Sequence, residues 1–275
     1  MKPLGIGVIT YSRLPFLNEC VSRVQTYCGA PYVLVIADDG SADGSIEWGR
    51  SRRIPVVTGP NRGCAWNKNR ALYTLMGWTD CDPILLLEDD CWPAQEGWAE
   101  IWRDAALGWG HINFCLPGTE AYIYGGEGTA ESPNWSRWFT GQCTASSRAA
   151  LERVGYLDTR FQGFGYEHVE WTARFGRAGF LAAQHGFCIQ GGLVSRPGPS
   201  FAHQGQLARN LQTWRAIARE SVYRDPWHTD AERLQLQAEV RSGWDERTAS
   251  PRQSPVPATS ADVSVLEGAV PDAHP

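Results

Sequence analysis

Three carboxylates in a row, Glu88, Asp89 and Asp90, follow directly on the apolar run Ile84-Leu85-Leu86-Leu87. An unbroken apolar run of this kind reads as a buried parallel-type strand, whose carboxyl end would deliver the three acids into a crevice. Open α/β sheets bind ligands at that end. Adjacent carboxylates repel one another, and a hard divalent cation carrying phosphates, Mg²⁺ or Mn²⁺, is the partner that relieves them. The plainer alternative is a solvated acidic turn. A second cluster, Asp38-Asp39-Gly40-Ser41, closes another apolar run, 32–37. Two acidic clusters on one sheet edge can divide labour, one accepting hydrogen bonds from a base or ribose, the other holding a metal on a diphosphate. Locally, residues 38–41 also read as a turn with a helix N-cap.

The elements that must position these acids alternate along the first hundred residues. Strand-like runs at 4–10, 32–37, 54–58 and 84–87 are separated by stretches of helical spacing at 14–28, 41–50 and 65–76. This alternation predicts a doubly wound, mostly parallel α/β sheet flanked by helices. After a helix near 97–107 and a strand near 112–116 the pattern changes. Residues 117–142 are rich in Gly, Ser and Thr and carry Tyr122, Tyr124, Trp135, Trp138 and Phe139, which reads as an irregular loop or hairpin with an aromatic face. Helices are expected near 146–154, 167–178 and 206–222, with a Gly-aromatic loop at 161–166. From about 245 Pro, Ser, Ala and Thr dominate, which predicts a disordered tail. The organisation expected is one domain over 1–244, made of halves 1–116 and 117–244, with 245–275 as the tail.

Composition narrows the function classes. With 275 residues and 43% hydrophobic content the chain can bury a large core, and its net charge of −5 supplies no basic surplus for nucleic acid, which enters only as a conceivable acceptor. No run approaches a membrane span and no cleavable leader pattern opens the chain, so a cytoplasmic protein without a transmembrane segment is expected. The eight cysteines have no CxxC spacing and several lie in apolar runs, so buried thiols are expected, not disulfides or a zinc site. The thirteen tryptophans exceed what a core needs, and flat aromatic surfaces suit carbohydrate ligands.

Two nucleotide-like or metal-like signals fail on inspection. Gly5-Ile6-Gly7-Val8-Ile9-Thr10 begins like a dinucleotide fingerprint, but Thr10 replaces its third glycine and the glycines lie within the strand. Asp39 to Gly44 begins like a calcium loop, yet the twelfth position, which needs a bidentate Glu, is Arg50.

The order Val8-Ile9-Thr10-Tyr11-Ser12-Arg13, Ala37-Asp38-Asp39-Gly40-Ser41-Ala42-Asp43, Asn61-Arg62-Gly63 with Lys68-Asn69, and Leu87-Glu88-Asp89-Asp90 resembles the nucleotide-binding half of family 2 glycosyltransferases of the GT-A fold. Gly155-Tyr156-Leu157-Asp158 and Phe161-Gln162-Gly163-Phe164-Gly165-Tyr166-Glu167-His168 are similar to the family's acceptor-side loop, so the resemblance spans roughly 4–190. It implies that Thr10, Tyr11 and Arg13 line the nucleotide and that Asp39 accepts from a uracil N–H. Lys68 and Asn69 would lie near the base or diphosphate, and Glu88 or Asp89 would reach the ribose or sugar. Asp90 would ligate Mn²⁺ or Mg²⁺.

The chain departs from the family at residue 168, where many inverting members carry an Asp as general base. Either His168 serves, or Glu167 does with a pKa raised by its apolar loop, or His168 helps hold metal or phosphate. Glu170, one helical turn on, is the fallback. By order in the chain His203, then His185, would be a further metal ligand, and Trp135 and Trp138 are acceptor platforms or lid packing. The implied activity is metal-dependent, inverting transfer of a sugar from a nucleoside diphosphate donor, a UDP-sugar first among them, to a carbohydrate or other hydroxyl acceptor. A sugar nucleotidyltransferase would need a glycine-rich triphosphate loop that Tyr11-Ser12-Arg13-Leu14-Pro15 does not provide. A degenerate nucleotide- or glycan-binding module is the non-enzymatic rival.

Overall fold

The computed structural model describes residues 1–180, 186–196 and 205–244. Strands and helices alternate through β1 (Leu4–Thr10), α1 (Leu14–Tyr27), β2 (Tyr32–Asp38), α2 (Ser45–Ser51), β3 (Val56–Thr58), α3 (Cys64–Trp78) and β4 (Ile84–Glu88). Then come β5 (Cys91–Pro93), α4 (Trp98–Trp109), β6 (His111–Phe114), β7 (Ile123–Gly125), β8 (Asn134–Ser136), β9 (Thr140–Ser146) and α5 (Arg148–Val154). The last elements are α6 (Glu167–Arg177), β10 (Gly186–Ile189), β11 (Leu193–Ser195), α7 (Gln206–Ile217) and α8 (Asp230–Gly243).

One sheet runs β3-β2-β1-β4-β9-β6-β10-β8-β7, and β11 pairs with β5 in a separate ribbon. Every residue of β1 and β2 is buried, as expected of central strands covered by helices on both faces. In the main sheet only β8 and β9 run against the common direction, so the sheet is mixed but mostly parallel. Strand order reverses at β1, which has β2 on one side and β4 on the other. The register sets Thr10 opposite Asp38 and Ile9 opposite Glu88, so both acidic clusters open onto the crevice at this switch point.

The glycines of β1 serve packing. A Cβ on Gly7 would lie 2.5 Å from the Ala71 Cβ of α3, so the glycine lets α3 press against the sheet. The core takes up Trp66, Trp98, Trp102 and Trp171, whereas Trp135 and Trp138 stay exposed. All eight cysteines are free thiols, and all but Cys64 are buried.

Several elements differ from expectation. β9 inserts antiparallel between β4 and β6, where a loop running into a helix was expected, because its Thr-Gly-Gln-Cys-Thr-Ala-Ser sequence has no large apolar residue to betray a strand. Residues 117–142 contain a 3₁₀ turn at Glu120–Tyr122 and the β7–β8 hairpin. Helix α8 was not foreseen: it is mostly polar and buries Leu236, Glu239 and Val240. The helix expected over 206–222 stops at Ile217, after which Glu220 and Arg224 join an ion-pair cluster on Asp158 with Arg160 and His228. Residues 245–275 lie outside the described residues.

Candidate active site

The crevice above β1, β2 and β4 is lined by acids whose charges are largely met by protein groups. Asp38 Oδ2 accepts from the backbone N–H groups of Gly40 and Ser41, each at 3.0 Å, and from the Thr58 hydroxyl at 2.7 Å. Asp39 Oδ1 accepts from Arg62 N at 3.0 Å and Arg70 Nη1 at 2.7 Å, and Oδ2 from Gly63 N at 2.8 Å. One acceptor position on Asp39 Oδ2 therefore remains. Arg70 is itself pinned by Glu239 of α8 at 2.9 Å, which ties the distant helix to the floor of the crevice.

Asp89 is turned inward. Its side chain is 0% exposed, accepts from the Thr10 hydroxyl at 2.7 Å and pairs with Arg13. Burial pushes the Asp89 carboxyl up to about 7 despite the opposing pull of Arg13 and Thr10. Asp90, by contrast, reaches the crevice: Oδ2 accepts from Arg13 Nη1 at 3.0 Å and Oδ1 from Gln142 Nε2 at 3.1 Å.

Across the crevice, α6 begins at Glu167 after the 161–166 loop. That loop is fastened to the start of α3, where Cys64 N donates to the Gly163 carbonyl at 2.6 Å. The buried Lys68 ammonium joins the two sides, 2.8 Å from Glu88 Oε1 and 3.6 Å from Glu167 Oε1, while donating to the Gly141 carbonyl at 3.0 Å. Burial opposes its charge, but its neighbours raise the Lys68 pKa. The Cys64 thiol, enclosed although the residue as a whole is half-buried, is pushed well above the usual thiol value by desolvation and is neutral at pH 7, so Glu88 and Glu167 supply that charge. Gly141 has no room for a side chain: a Cβ there would come within 2.9 Å of Lys68 Nζ and of the His168 ring.

Glu167 departs from expectation. Burial alone would raise its pKa, but His168 and Lys68 hold the carboxyl at about 2. Its Oε2 is buried without a hydrogen-bond partner, and His168 Nδ1 faces Oε1 at 3.5 Å. The His168 ring is partly exposed and meets Phe139 edge-on at 6.0 Å. Its Nε2 has no hydrogen-bond partner among the described residues. Glu170 does not reach the crevice: it is 1% exposed and pairs with Arg174 at 2.9 Å and Arg224 at 3.6 Å.

A nucleotide-type switch point, an acidic strand end and a carboxylate–imidazole pair at a facing helix start are the layout of a group-transfer enzyme. The family model "Glycosyl transferase family 2" matches residues 6–112, covering β1 to the start of β6. The N-acetylglucosaminyl-diphospho-decaprenol L-rhamnosyltransferase of two Mycobacterium tuberculosis strains is 26% identical over 226 residues, spanning 65% of this chain and 72% of that protein. Residues 6–112 thus match a family 2 glycosyltransferase region, and the protein is a glycosyltransferase. Among solved structures, the glycosyltransferase resembles the mannosyltransferase PcManGT of Pyrobaculum calidifontis, in complex with GDP-Man and Mn²⁺. That match has a TM-score of 0.51 and 18% identity over 87% of this chain and 69% of that one. It also resembles GalNAc-T7 with UDP, GalNAc and Mn²⁺, at a TM-score of 0.54 and 10% identity over 88% of this chain and 55% of that one. These likenesses show the GT-A fold.

The donor set of this glycosyltransferase fits a hard divalent cation at Asp90. Each Asp90 oxygen accepts one hydrogen bond and keeps a lone pair, and one carboxylate with substrate phosphates and water is a usual Mg²⁺ or Mn²⁺ environment. The ligand atoms of Cys64, Glu88 and Glu167 also lie within 4.8 Å of one another, but the Lys68 ammonium already occupies that triangle.

Of the residues singled out from sequence, Thr10, Arg13, Glu88, Asp90, Lys68, Glu167 and His168 gather on one crevice, with Tyr11 half-buried at the end of β1 and Asp39 at its floor. Asp89 is covered, and Asn69 is not brought there. Asn69 is wholly buried, and its amide exchanges hydrogen bonds with the Leu157 backbone at 2.9 and 3.0 Å, fastening α3 to the segment after α5. Trp135 and Trp138 are 44% and 38% exposed, and Trp138 stacks on Tyr122 at 6.2 Å. His203 and His185 lie outside the described residues. Sequence reading missed Arg70, whose partners lie on three other segments, and Gln142, hidden in a strand without apolar alternation.

Proposed function

We propose that the protein moves a sugar from a nucleoside diphosphate donor, a UDP-sugar first among them, to an acceptor hydroxyl with inversion at the anomeric carbon. The observation that carries this reading is the Lys68 bridge, which sets Glu167 and His168 beside the acids of β4. Asp39 would offer its remaining Oδ2 position to a base N–H, with Thr10, Tyr11 and Arg13 along the nucleotide. Asp90 would hold Mn²⁺ or Mg²⁺, and such an ion, when bound, offsets charge developing on the leaving diphosphate.

His168 takes the acceptor proton in this reading. A carboxylate held at about 2, like that of Glu167, is a poor proton acceptor near neutral pH. Glu167 instead stabilises the imidazolium across 3.5 Å. Trp135 and Trp138 offer aromatic faces to the acceptor. Because the rhamnosyltransferase relative acts on N-acetylglucosaminyl-diphospho-decaprenol, a saccharide on a polyprenyl diphosphate is the acceptor class to try first. No helix among the described residues is long and apolar enough to cross a membrane, and a cytoplasmic site of action and a single unit over 1–244 belong to the same reading.

Release of free nucleoside diphosphate from a panel of UDP-, GDP- and TDP-sugars tests the proposal, with lipid-linked and free saccharide acceptors, in Mn²⁺ or in EDTA. Metal-dependent release from one donor, lost in Asp90→Ala, is expected. No release with any acceptor, together with no Mn²⁺-dependent UDP binding, would overturn it.

A further inference from the structure

The Asp90 carboxylate is gripped from two sides by unlike groups. Arg13 holds Oδ2 with a cation, and Gln142 holds Oδ1 with a neutral amide. A carboxylate only accepts hydrogen bonds, so this contact fixes Gln142 with its nitrogen toward Asp90 and its oxygen away. Gln142 Nε2 also lies 2.8 Å from Ser195 Oγ, and the Ser195 hydroxyl is within donating reach of Gln142 Oε1 at 3.2 Å. One hydroxyl therefore fixes both ends of the amide. The backbone reinforces the arrangement: β11 pairs with β5 so that Ser195 stands opposite Cys91, and Arg196 N donates to the Asp90 carbonyl at 2.8 Å. The end of β4, the strand β9 and the ribbon strand β11 thus converge on one carboxylate.

We propose that Gln142 is a positioning residue for the metal-binding carboxylate, with Ser195 as its anchor. The inference rests on the reading that Asp90 holds the divalent cation. Arg13 gives Asp90 only its Nη1, since Nη2 is held by Asp89, so without the Gln142 N–H nothing at Oδ1 would fix the rotation of the carboxylate and its lone pairs would no longer be aimed at one cation position. A neutral donor at Oδ1 opposes that rotation and leaves the negative charge of Asp90 intact. A second cation there would cancel it. Partners that orient a ligand in this way typically account for roughly 10- to 100-fold in metal affinity.

The test is Mn²⁺ binding, alone and with UDP, followed by the loss of the free-ion electron paramagnetic resonance signal, with Tm measured on the same samples. Wild type, Asp90→Ala, Gln142→Leu and Ser195→Ala are compared. Binding abolished in Asp90→Ala, weakened roughly 10- to 100-fold in Gln142→Leu and weakened less in Ser195→Ala is the expected pattern. Binding lost in Asp90→Ala but equal to wild type in Gln142→Leu and Ser195→Ala, even with a lowered Tm, would overturn the positioning role alone. Binding unchanged in Asp90→Ala would overturn the reading of Asp90 itself. Should Gln142→Leu fail to fold, Ser195→Ala decides: it keeps the amide and must still weaken Mn²⁺ binding.

Discussion

On the donor side of the crevice, at the ends of β1, β2 and β4, acid after acid meets a donor from the protein: Asp38 its own turn, Asp39 the buried Arg70, Asp89 Thr10 and Arg13. On the acceptor side, Glu167 keeps a buried oxygen with no partner, His168 has an uncommitted Nε2 among the described residues, and Trp135 and Trp138 face solvent. On the first side most carboxylate oxygens are held by protein donors before any ligand arrives, although Asp38 Oδ1 is buried unpaired and Asp90 keeps lone pairs for a cation. The second still has hydrogen-bonding and stacking capacity to give. In the proposed reading the contrast means that the enzyme pre-organises the half that would grip a nucleoside diphosphate leaving group and keeps open the half that would move one proton.

The comparison breaks most sharply at His168. His168→Ala is expected to lower kcat by roughly 10²–10⁴-fold while leaving nucleotide affinity unchanged, with Glu167→Gln costing less. Steady-state kinetics and UDP titration read both, and the reverse ranking would make Glu167 the base. Next in size is the joint between the halves. Lys68→Met leaves Glu88 and the buried Glu167 without their shared cation and should cost about 3–5 kcal/mol in denaturant unfolding. Adding Glu167→Gln should recover part of that loss, and no recovery would show that Lys68 matters chiefly through packing and its Gly141 contact.

Acid sensitivity sharpens the contrast further. His111 is buried against Phe175, stacked at 4.0 Å, and burial lowers its pKa from 6.5 to about 3. Between those values the unfolded chain binds a proton that the native protein refuses, so stability falls as pH drops from 6.5 toward 3. Glu167 adds the same sign in a lower window, as pH falls from 4.5 toward 2. Asp89, raised to about 7, acts with the opposite sign between 3.8 and 7 in every variant, so the difference between wild type and His111→Phe should carry the His111 slope above 4.5, whereas the difference between wild type and Glu167→Gln should be flat there. No difference in slope between wild type and His111→Phe would remove His111 from the account. The smallest effect is expected at the rim, where Trp138→Ala should raise the acceptor KM by about fivefold, the equivalent of ~1 kcal/mol, with donor KM unchanged.

How much of this was legible depends on how local each signal is. Apolar runs ending in acids announce themselves, because a buried strand must be apolar and the first polar residues after it mark its end. That logic identified β1, β2, β4 and both acidic clusters from residue types alone. It failed at β9, whose small and polar residues are buried only because β4 and β6 close over them, and with β9 it missed Gln142. It failed at α8, whose buried Glu239 meets Arg70, 169 residues away in sequence, and Trp66 of the same α3 helix.

The sequence by itself determined the alternation of strand and helix, the acids at the strand ends and the family they resemble, because hydrophobic periodicity and residue order are properties of short segments. Only the tertiary structure decided which acids stay reachable. Asp89 and Asp90 are neighbours in the chain, yet one is sealed under Thr10 and Arg13 while the other faces the crevice. Likewise Glu167 is strongly ionised instead of raised, because Lys68 and His168 outweigh its burial. Solvation and charge pairing are fixed by contacts between distant segments, and such contacts exist only once the chain has folded.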